Sequence, residues 1–452
     1  MSSSSAVPLT SLPNSQQGEE YNKKSIFKLL LTLLFFDAFL VYLCLLQAVH
    51  PIQRVLLPLQ RLIFENPSYP IEDEIVSTTT RVIFTRSKRT NEQICLKLWQ
   101  RYDEKVFKAR LVTRRVDYLL EGLEFNRRFA KKVYVGIAPV KLNANEKKIQ
   151  RGRLIKKPEK DTFKLGVEYA LVMRRLPKEW QLEYQLSRGE LGTRAVIKFL
   201  AEQVAQMHSR LDQSPPDKGS SDCVSSKLAI NKQLFQEALH TLASTSFASG
   251  LNYRKNYGWV CDVLDRACRT YTDSFEERRK AGHIKRCHGD LKATNLWVDP
   301  GKTRFFGLLN SPQQLLALDC VDFNPDFCHI DTLSDVAMLA IDIETRVSDL
   351  PGETTGKPSG QRLARHFLHG YLRVVGEKSE ASWPLLEYYM TEKAMVCAYV
   401  SILYDNDPTL GKKYLNVAFA HAQRLKKRLR DAERLPPVKE LASSLSVPYH
   451  SR

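Results

Sequence analysis

The spacing of apolar and polar residues changes character twice along this 452-residue chain. It opens on a nearly unbroken apolar run, Leu29 to Val49, interrupted by Asp37. Short segments with strand-like composition follow: Arg81–Thr85 (RVIFT), Ile94–Trp99 (ICLKLW), Val133–Val140 and Glu168–Met173. The polar turn RSKRTNEQ joins the first two. Between the second and third, Arg114–Ala130 carries helical spacing, with Val116, Leu120 and Leu123 on one side. The Lys-rich stretch Asn143–Lys160 reads as an exposed hairpin or loop.

From Thr193 the period is helical, with Val196, Ile197, Leu200, Val204, Met207 and Leu211 on one stripe. Gln213–Ser226 is a loop by composition. Helical patterns resume through Lys280, then run from Thr332 to Arg346 and from Trp383 to about Arg430. This order predicts an α+β protein of two lobes. Residues 59–175 form a small mixed-sheet lobe and residues 176–435 a mainly helical one, divided near Arg174–Pro177 (RRLP). Residues 1–23 are Ser-, Pro- and Gln-rich and read as disordered, and residues 436–452 as a flexible tail.

Residues 24–50 read as a hydrophobic helix. The run 29–49 matches the ~20 residues that cross a bilayer, and its Leu, Phe and Val outweigh the roughly 3 kcal/mol cost of Asp37. This predicts membrane association through 29–49. The competing reading is an amphipathic or buried helix docked on the fold.

Charge narrows the partners. With 68 Lys+Arg against 50 Asp+Glu, the chain carries +18 and favours anionic partners. No basic motif interleaved with aromatics is visible, so no specific nucleic acid is expected. Nine cysteines are scattered singly without a CxxC pair, which argues for reduced thiols and against a disulfide framework or a zinc site.

The candidate chemistry lies in RCHGDLKATNLWVD, Arg286–Asp299, and in LLALDCVDFNP, where Asp319 ends the apolar run Leu315–Leu318. Two aspartates and an asparagine suit phosphoryl transfer. One aspartate accepts the proton of an attacking hydroxyl; an asparagine and a second aspartate offer hard oxygens to Mg²⁺. The competing reading is that Asp290 and Asn295 only cap a turn.

These segments, with EGLEFNRRFAKKVYVGIAPV, EYALVMRRLP and LAEQVAQMHSRL, resemble the aminoglycoside phosphotransferase and choline kinase-like family. They are similar in particular to an uncharacterised bacterial branch whose second motif runs Asp-Cys-x-Asp/Glu-Phe-Asn-Pro. The resemblance covers roughly Leu59 to Arg430. It implies a protein-kinase-like fold, with ATP and Mg²⁺ as cofactors. It also implies Asp290 as catalytic base, His288 as the residue orienting the loop, Asn295 and Asp319 as metal ligands, and Asp335 as a brace. Leu171 to Arg174, with Leu171 and Met173, would form the hinge that meets adenine through the main chain. Lys97 would hold the phosphates and Glu121 would hold Lys97, with Glu124 as the alternative.

The sequence departs from that pattern in places. No glycine-rich loop precedes Lys97, Lys292 stands where the branch usually has histidine, and Cys328 where it has arginine. His208 reads as a packed core histidine and Asp322 as a loop acid. The function that follows is ATP-dependent transfer of the γ-phosphoryl group to a small-molecule hydroxyl. The alternative is a pseudokinase or nucleotide-binding scaffold at the membrane. A polycationic aminoglycoside suits a chain of this charge poorly; an anionic or neutral sugar-like or lipid-linked hydroxyl suits it better. Use of ATP places the catalytic lobes on the cytoplasmic side of a membrane, or simply in the cytoplasm.

Overall fold

The computed structural model describes residues 68–434 except 77–79, 87–92, 100–111, 144, 146, 165–166, 189–193, 246–254, 256, 301–302, 305–308, 311–312, 322–323 and 348–358. The chain divides at 67/68 into two units, and the first lies outside the described residues together with the apolar run 29–49. Among the described residues no helix is long and apolar enough to cross a membrane. Asp322 and the tail 436–452 also lie outside them.

The first lobe is a closed antiparallel barrel of six strands in the order β1-β2-β3-β6-β4-β5. The strands are β1 (Ser68–Val76), β2 (Thr80–Arg86), β3 (Gln93–Trp99), β4 (Tyr134–Asn143), β5 (Lys148–Arg151) and β6 (Glu168–Arg174). Successive side chains on a strand point to opposite faces, and this alternation sorts two cores. Ile94, Leu96 and Leu98 of β3 join Ile83, Ala138, Val140, Ile149 and Val172 in one cluster. Cys95 and Trp99 join Tyr134, Ile137, Leu171 and Met173 in a second, which also takes in Leu119 and Leu123 of helix α1 (Val112–Ala130). Leu316 and Leu318 from the second lobe enter this same cluster, so the two lobes share apolar surface. Lys97 lies on that face, with its ammonium 5.5 Å from the Trp99 ring centroid.

The chain leaves β6 and crosses to the second lobe through a short 3-10 turn, Lys178–Trp180. There it forms α2 (Leu182–Ser187), α3 (Arg194–Ser209), α4 (Ser221–Thr245), α5 (Trp259–Thr270) and α6 (Thr272–Lys280). Three two-stranded sheets follow. β7 (Ile284–Arg286) pairs with β12 (His329–Asp331), β8 (Leu296–Asp299) with β11 (Gln314–Ala317), and β9 (Thr303–Arg304) with β10 (Leu309–Asn310). The lobe closes with α7 (Thr332–Val347), α8 (Gly360–Val375), α9 (Ser379–Leu403) and α10 (Pro408–Arg434).

Helix α7 is buried from Thr332 to Thr345, its polar Ser334, Asp335 and Asp342 included. A helix buried all round carries polar side chains only where they are bonded, and two of these bond the loop described below. The single helical run expected from Trp383 to about Arg430 is broken. Asn406 takes a left-handed φ of 53° and Pro408 opens the next helix. Pro at the first helical position has no N–H to waste and restarts the helix.

Candidate active site

Strand β7 ends at Arg286, and the chain enters the loop Cys287–Asn295. The loop is held by backbone shape first. Gly289 has φ +82°, and a Cβ there would stand 2.8 Å from the Phe327 carbonyl oxygen, so only glycine fits. His288 is fully buried and links the loop to its neighbour. Its Nε2 lies 3.0 Å from the Leu318 carbonyl, its Nδ1 3.4 Å from the Asp290 N–H, and its own carbonyl accepts from Val321 N–H at 2.9 Å. Burial pushes the imidazole pKa down, which favours the neutral ring that these contacts need.

Helix α7 holds the loop at both ends. Asp335 accepts the His288 N–H at 3.1 Å and the Gly289 N–H at 3.0 Å. Asp342, seven residues on and thus on the same helical face, accepts the Ala293 N–H at 2.6 Å. Burial would push the Asp335 carboxyl up, but the bond from His208 and the N–H donors outweigh it and hold it below the ordinary carboxylate range. His208 is a buried core histidine, as expected, and links Tyr371 (2.8 Å) to Asp335 (3.1 Å). Asp342 is also tied to Tyr414 and to Arg346 (2.7 Å).

The three candidate chemical residues are arranged by one hairpin. β8 and β11 pair with Ala317 opposite Leu296. One residue beyond, Leu318 N–H donates to the Asn295 carbonyl at 2.8 Å, so Asp319 emerges beside Asn295. Asn295 Nδ2 donates to the Asp290 carboxylate at 2.9 Å and to its carbonyl at 3.0 Å. That leaves Asn295 Oδ1 as the amide's acceptor. Lys292 Nζ stands 3.1 Å from Asp290 Oδ2. Burial would lower the Lys292 pKa, and the Asp290 carboxylate more than offsets it.

Asp319 has a left-handed φ of 63° and a side chain that is 53% exposed. Its backbone is pinned from the first lobe. Asp319 N–H donates to Tyr134 Oη at 2.8 Å, and Cys320 N–H donates to Asn126 Oδ1 at 3.0 Å. Its carboxylate is paired with the buried ammonium of Lys97. The protein around it pushes the Asp319 carboxyl up, but the Lys97 charge prevails and holds it low.

Two expectations about the first lobe need correction in place. Glu121 does not stand with Lys97: its carboxylate is 57% exposed and lies 3.9 Å from Arg286 Nη2. Glu124 is likewise exposed and sits 3.5 Å from Arg128. The reason is helical phase. Leu119, Gly122, Leu123 and Asn126 make the buried stripe of α1, and both glutamates fall off it. Leu171 and Met173 are not free hinge residues either. β6 is a central strand, with Leu171 opposite Lys97 on one side and Ile137 on the other, and Met173 opposite Cys95 and Tyr134. Their main-chain groups belong to the ladder; the chain leaves the sheet only after Arg174.

Tyr134, Asn126 and Asp342 were missed in the sequence. Asp342 had a signal, the seven-residue spacing from Asp335 on one helix. Tyr134 and Asn126 had none, because their partners lie 185 and 194 residues away.

The residues present fit a Mg²⁺ ion: the Asn295 amide oxygen and the half-exposed Asp319 carboxylate are hard donors of the kind it takes, with water filling the rest.

No family model matches the chain, and no curated protein does. Solved structures do, at low identity. An ethanolamine kinase of Plasmodium vivax is 12% identical with a TM-score of 0.39, covering 78% of this chain and 81% of that one. A choline kinase from Cryptosporidium parvum is 12% identical with a TM-score of 0.40, covering 81% and 92%. A glucosamine kinase, in complex with glucosamine, ADP and inorganic phosphate, is 13% identical with a TM-score of 0.36, covering 81% and 96%. None of these shows the bacterial branch that the second motif suggested, and at these scores function rests on the site itself.

Proposed function

We propose that this protein is a small-molecule phosphotransferase that moves the γ-phosphoryl group of ATP to a hydroxyl. The observation that carries the reading is the gathering of Asp290, Asn295 and Asp319 by the β8–β11 hairpin, with buried Lys97 on the Asp319 carboxylate. The acceptor oxygen attacks the γ-phosphorus as the bond to the bridging oxygen of ADP breaks. The hydroxyl proton passes to Asp290, and ADP leaves with the electron pair. Asn295 holds the Asp290 carboxylate through Nδ2, and His288 fixes the loop that presents it. Asn295 Oδ1 and the Asp319 carboxylate would hold Mg²⁺, which when bound neutralises phosphate charge. Lys97 would then turn from Asp319 toward the phosphates. The adenine edge would meet the main chain just past β6, at the Arg175 carbonyl and Leu176, since the Arg175 N–H already donates to the Gln93 carbonyl at 3.4 Å.

Transfer of labelled phosphate from ATP to a panel of sugars, sugar acids and amino alcohols tests this. Wild type should yield ADP and a phosphorylated acceptor, and Asp290→Asn should yield neither. Full turnover in Asp290→Asn sinks the mechanism. The scaffold reading draws on one observation, the distance of Glu121 from Lys97's pairing. Nucleotide binding with no transfer across the panel would favour it.

A further inference from the structure

The segment that joins the two lobes reaches the catalytic loop twice. After β6 the chain runs through Arg175 and Leu176 to Pro177. Trp180 N–H then donates to the Pro177 carbonyl and Gln181 N–H to the Lys178 carbonyl, both at 3.0 Å, which closes the 3-10 turn. Proline fixes φ at the entrance, so this connector is stiff as well as short. Gln181 opens α2, its carbonyl accepting from Gln185 N–H at 3.1 Å, and a main-chain bridge sets it beside Trp297 of β8. Its half-buried side chain has a separate partner: Nε2 donates to the Thr294 carbonyl at 2.7 Å.

Thr294 lies in the 3-10 turn Ala293–Asn295, which presents the candidate metal ligand. Its carbonyl shares one planar peptide unit with the Asn295 N–H, and that N–H donates to the Lys292 carbonyl at 2.9 Å. A bond at each end of the plane fixes its orientation, and with it the direction in which the Asn295 side chain leaves the backbone. The second route starts in the first turn of α2, where Glu183 pairs with Arg346. Arg346 Nε donates to Asp342 Oδ1 at 2.7 Å, and Asp342 Oδ2 accepts the Ala293 N–H at 2.6 Å. The turn is thus gripped at consecutive residues, Ala293 and Thr294, and both grips lead back to residues 181–183.

We infer that Gln181 is a positioning residue for the metal site. It holds Asn295 at the angle at which Oδ1 meets the ion, and it couples a nucleotide seated at the connector to the metal on the catalytic turn. This rests on the phosphotransferase reading for the role of Asn295, though the coupling is measured without turnover. The experiment is calorimetric titration of the full chain with ADP, with and without Mg²⁺, in wild type, Gln181→Met and Gln181→Glu. Met keeps the side-chain length and removes the donor; Glu sets a second acceptor against the Thr294 carbonyl. Mg²⁺ should tighten ADP binding in wild type. In Gln181→Met that gain should shrink about tenfold, the upper value of one hydrogen bond, while metal-free ADP affinity stays within about twofold of wild type. In Gln181→Glu the gain should be lost at neutral pH. It should partly return, relative to wild type at the same pH, as the carboxyl takes up a proton in acid and becomes a donor. Packing alone would not produce that return. An unchanged gain in Gln181→Met overturns the inference, as does an equal loss of ADP affinity with and without the metal, or a wild-type affinity that Mg²⁺ leaves unaltered. Should Gln181→Met not fold, the pH dependence of Gln181→Glu decides, and no return in acid is the overturning result. Coupled binding as expected with no transfer to any acceptor would uphold Gln181 and defeat the phosphotransferase reading. Transfer, with the Mg²⁺ gain intact in Gln181→Met, would do the reverse.

Discussion

Asp290 combines two properties: its carboxylate is bonded by Asn295 and Lys292, and its side chain remains 31% exposed. Asp290→Asn keeps the shape and the Asn295 bond but removes the proton acceptor. Steady-state kinetics should show kcat lower by about 10²–10⁴-fold, with nucleotide affinity unchanged. Asp335 is a different case. It meets three donors with two carboxylate oxygens, and an asparagine offers one. Asp335→Asn should lower unfolding stability by about 3 kcal/mol in a urea titration, in the range of one or two lost charged bonds. A loss under about 1 kcal/mol would show that the brace is not needed. These residues were legible because the loop is contiguous: His288, Asp290 and Asn295 sit within eight positions, and Asp319 ends an apolar strand. Tyr134 and Asn126 were not, since each is one polar residue whose partner is set by the docking of two lobes.

Alternation placed Lys97 on the face with Cys95 and Trp99, because a strand has period two and every residue of β3 from Ile94 to Trp99 is buried. Phase was harder on α1, where apolar residues ring more of the helix and Glu121 and Glu124 followed only from the family resemblance. β1 went unread because its Pro, Glu and Asp break the expected pattern; it is held by pairing with β2 and β5. In the second lobe, α7, α9 and α10 meet at His421. Its Nδ1 is 2.8 Å from Glu387 and its Nε2 3.1 Å from Glu344, with Arg424 3.6 Å from Glu387 and 3.9 Å from Glu344. Burial would lower the His421 pKa, but hydrogen bonds to the two carboxylates raise it above 6.5, and Arg428 adds to the charge around Glu387. A raised folded pKa means stabilisation that is complete below about pH 6.5 and lost as pH rises through the folded value. Urea midpoints followed upward from pH 6 should therefore fall more in wild type than in His421→Gln. Parallel pH profiles would contradict this.

At the scale of the molecule, the two-lobed order of sheet then helices was readable from the change of period, whereas the closure of the sheet into a barrel was not, since closure depends on β1 meeting β5. The lobes are tied through the very loop that carries Asp319: Tyr134, Asn126 and Lys97 all come from the first lobe. Losing one of these ties should displace the metal ligand and leave the proton acceptor in place. Tyr134→Phe should therefore raise the Mg²⁺ concentration required for half-maximal activity by about tenfold, roughly the value of one hydrogen bond. An unchanged Mg²⁺ requirement would mean that Asp319 keeps its position without Tyr134. The whole account depends on Asn295 and Asp319 sharing one divalent ion beside the nucleotide's terminal phosphate. Anomalous diffraction from crystals grown with Mn²⁺ and a non-hydrolysable ATP analogue tests it most directly. The account predicts a manganese peak bonded to both Asn295 Oδ1 and the Asp319 carboxylate; nucleotide bound with manganese elsewhere, or with none, would contradict it.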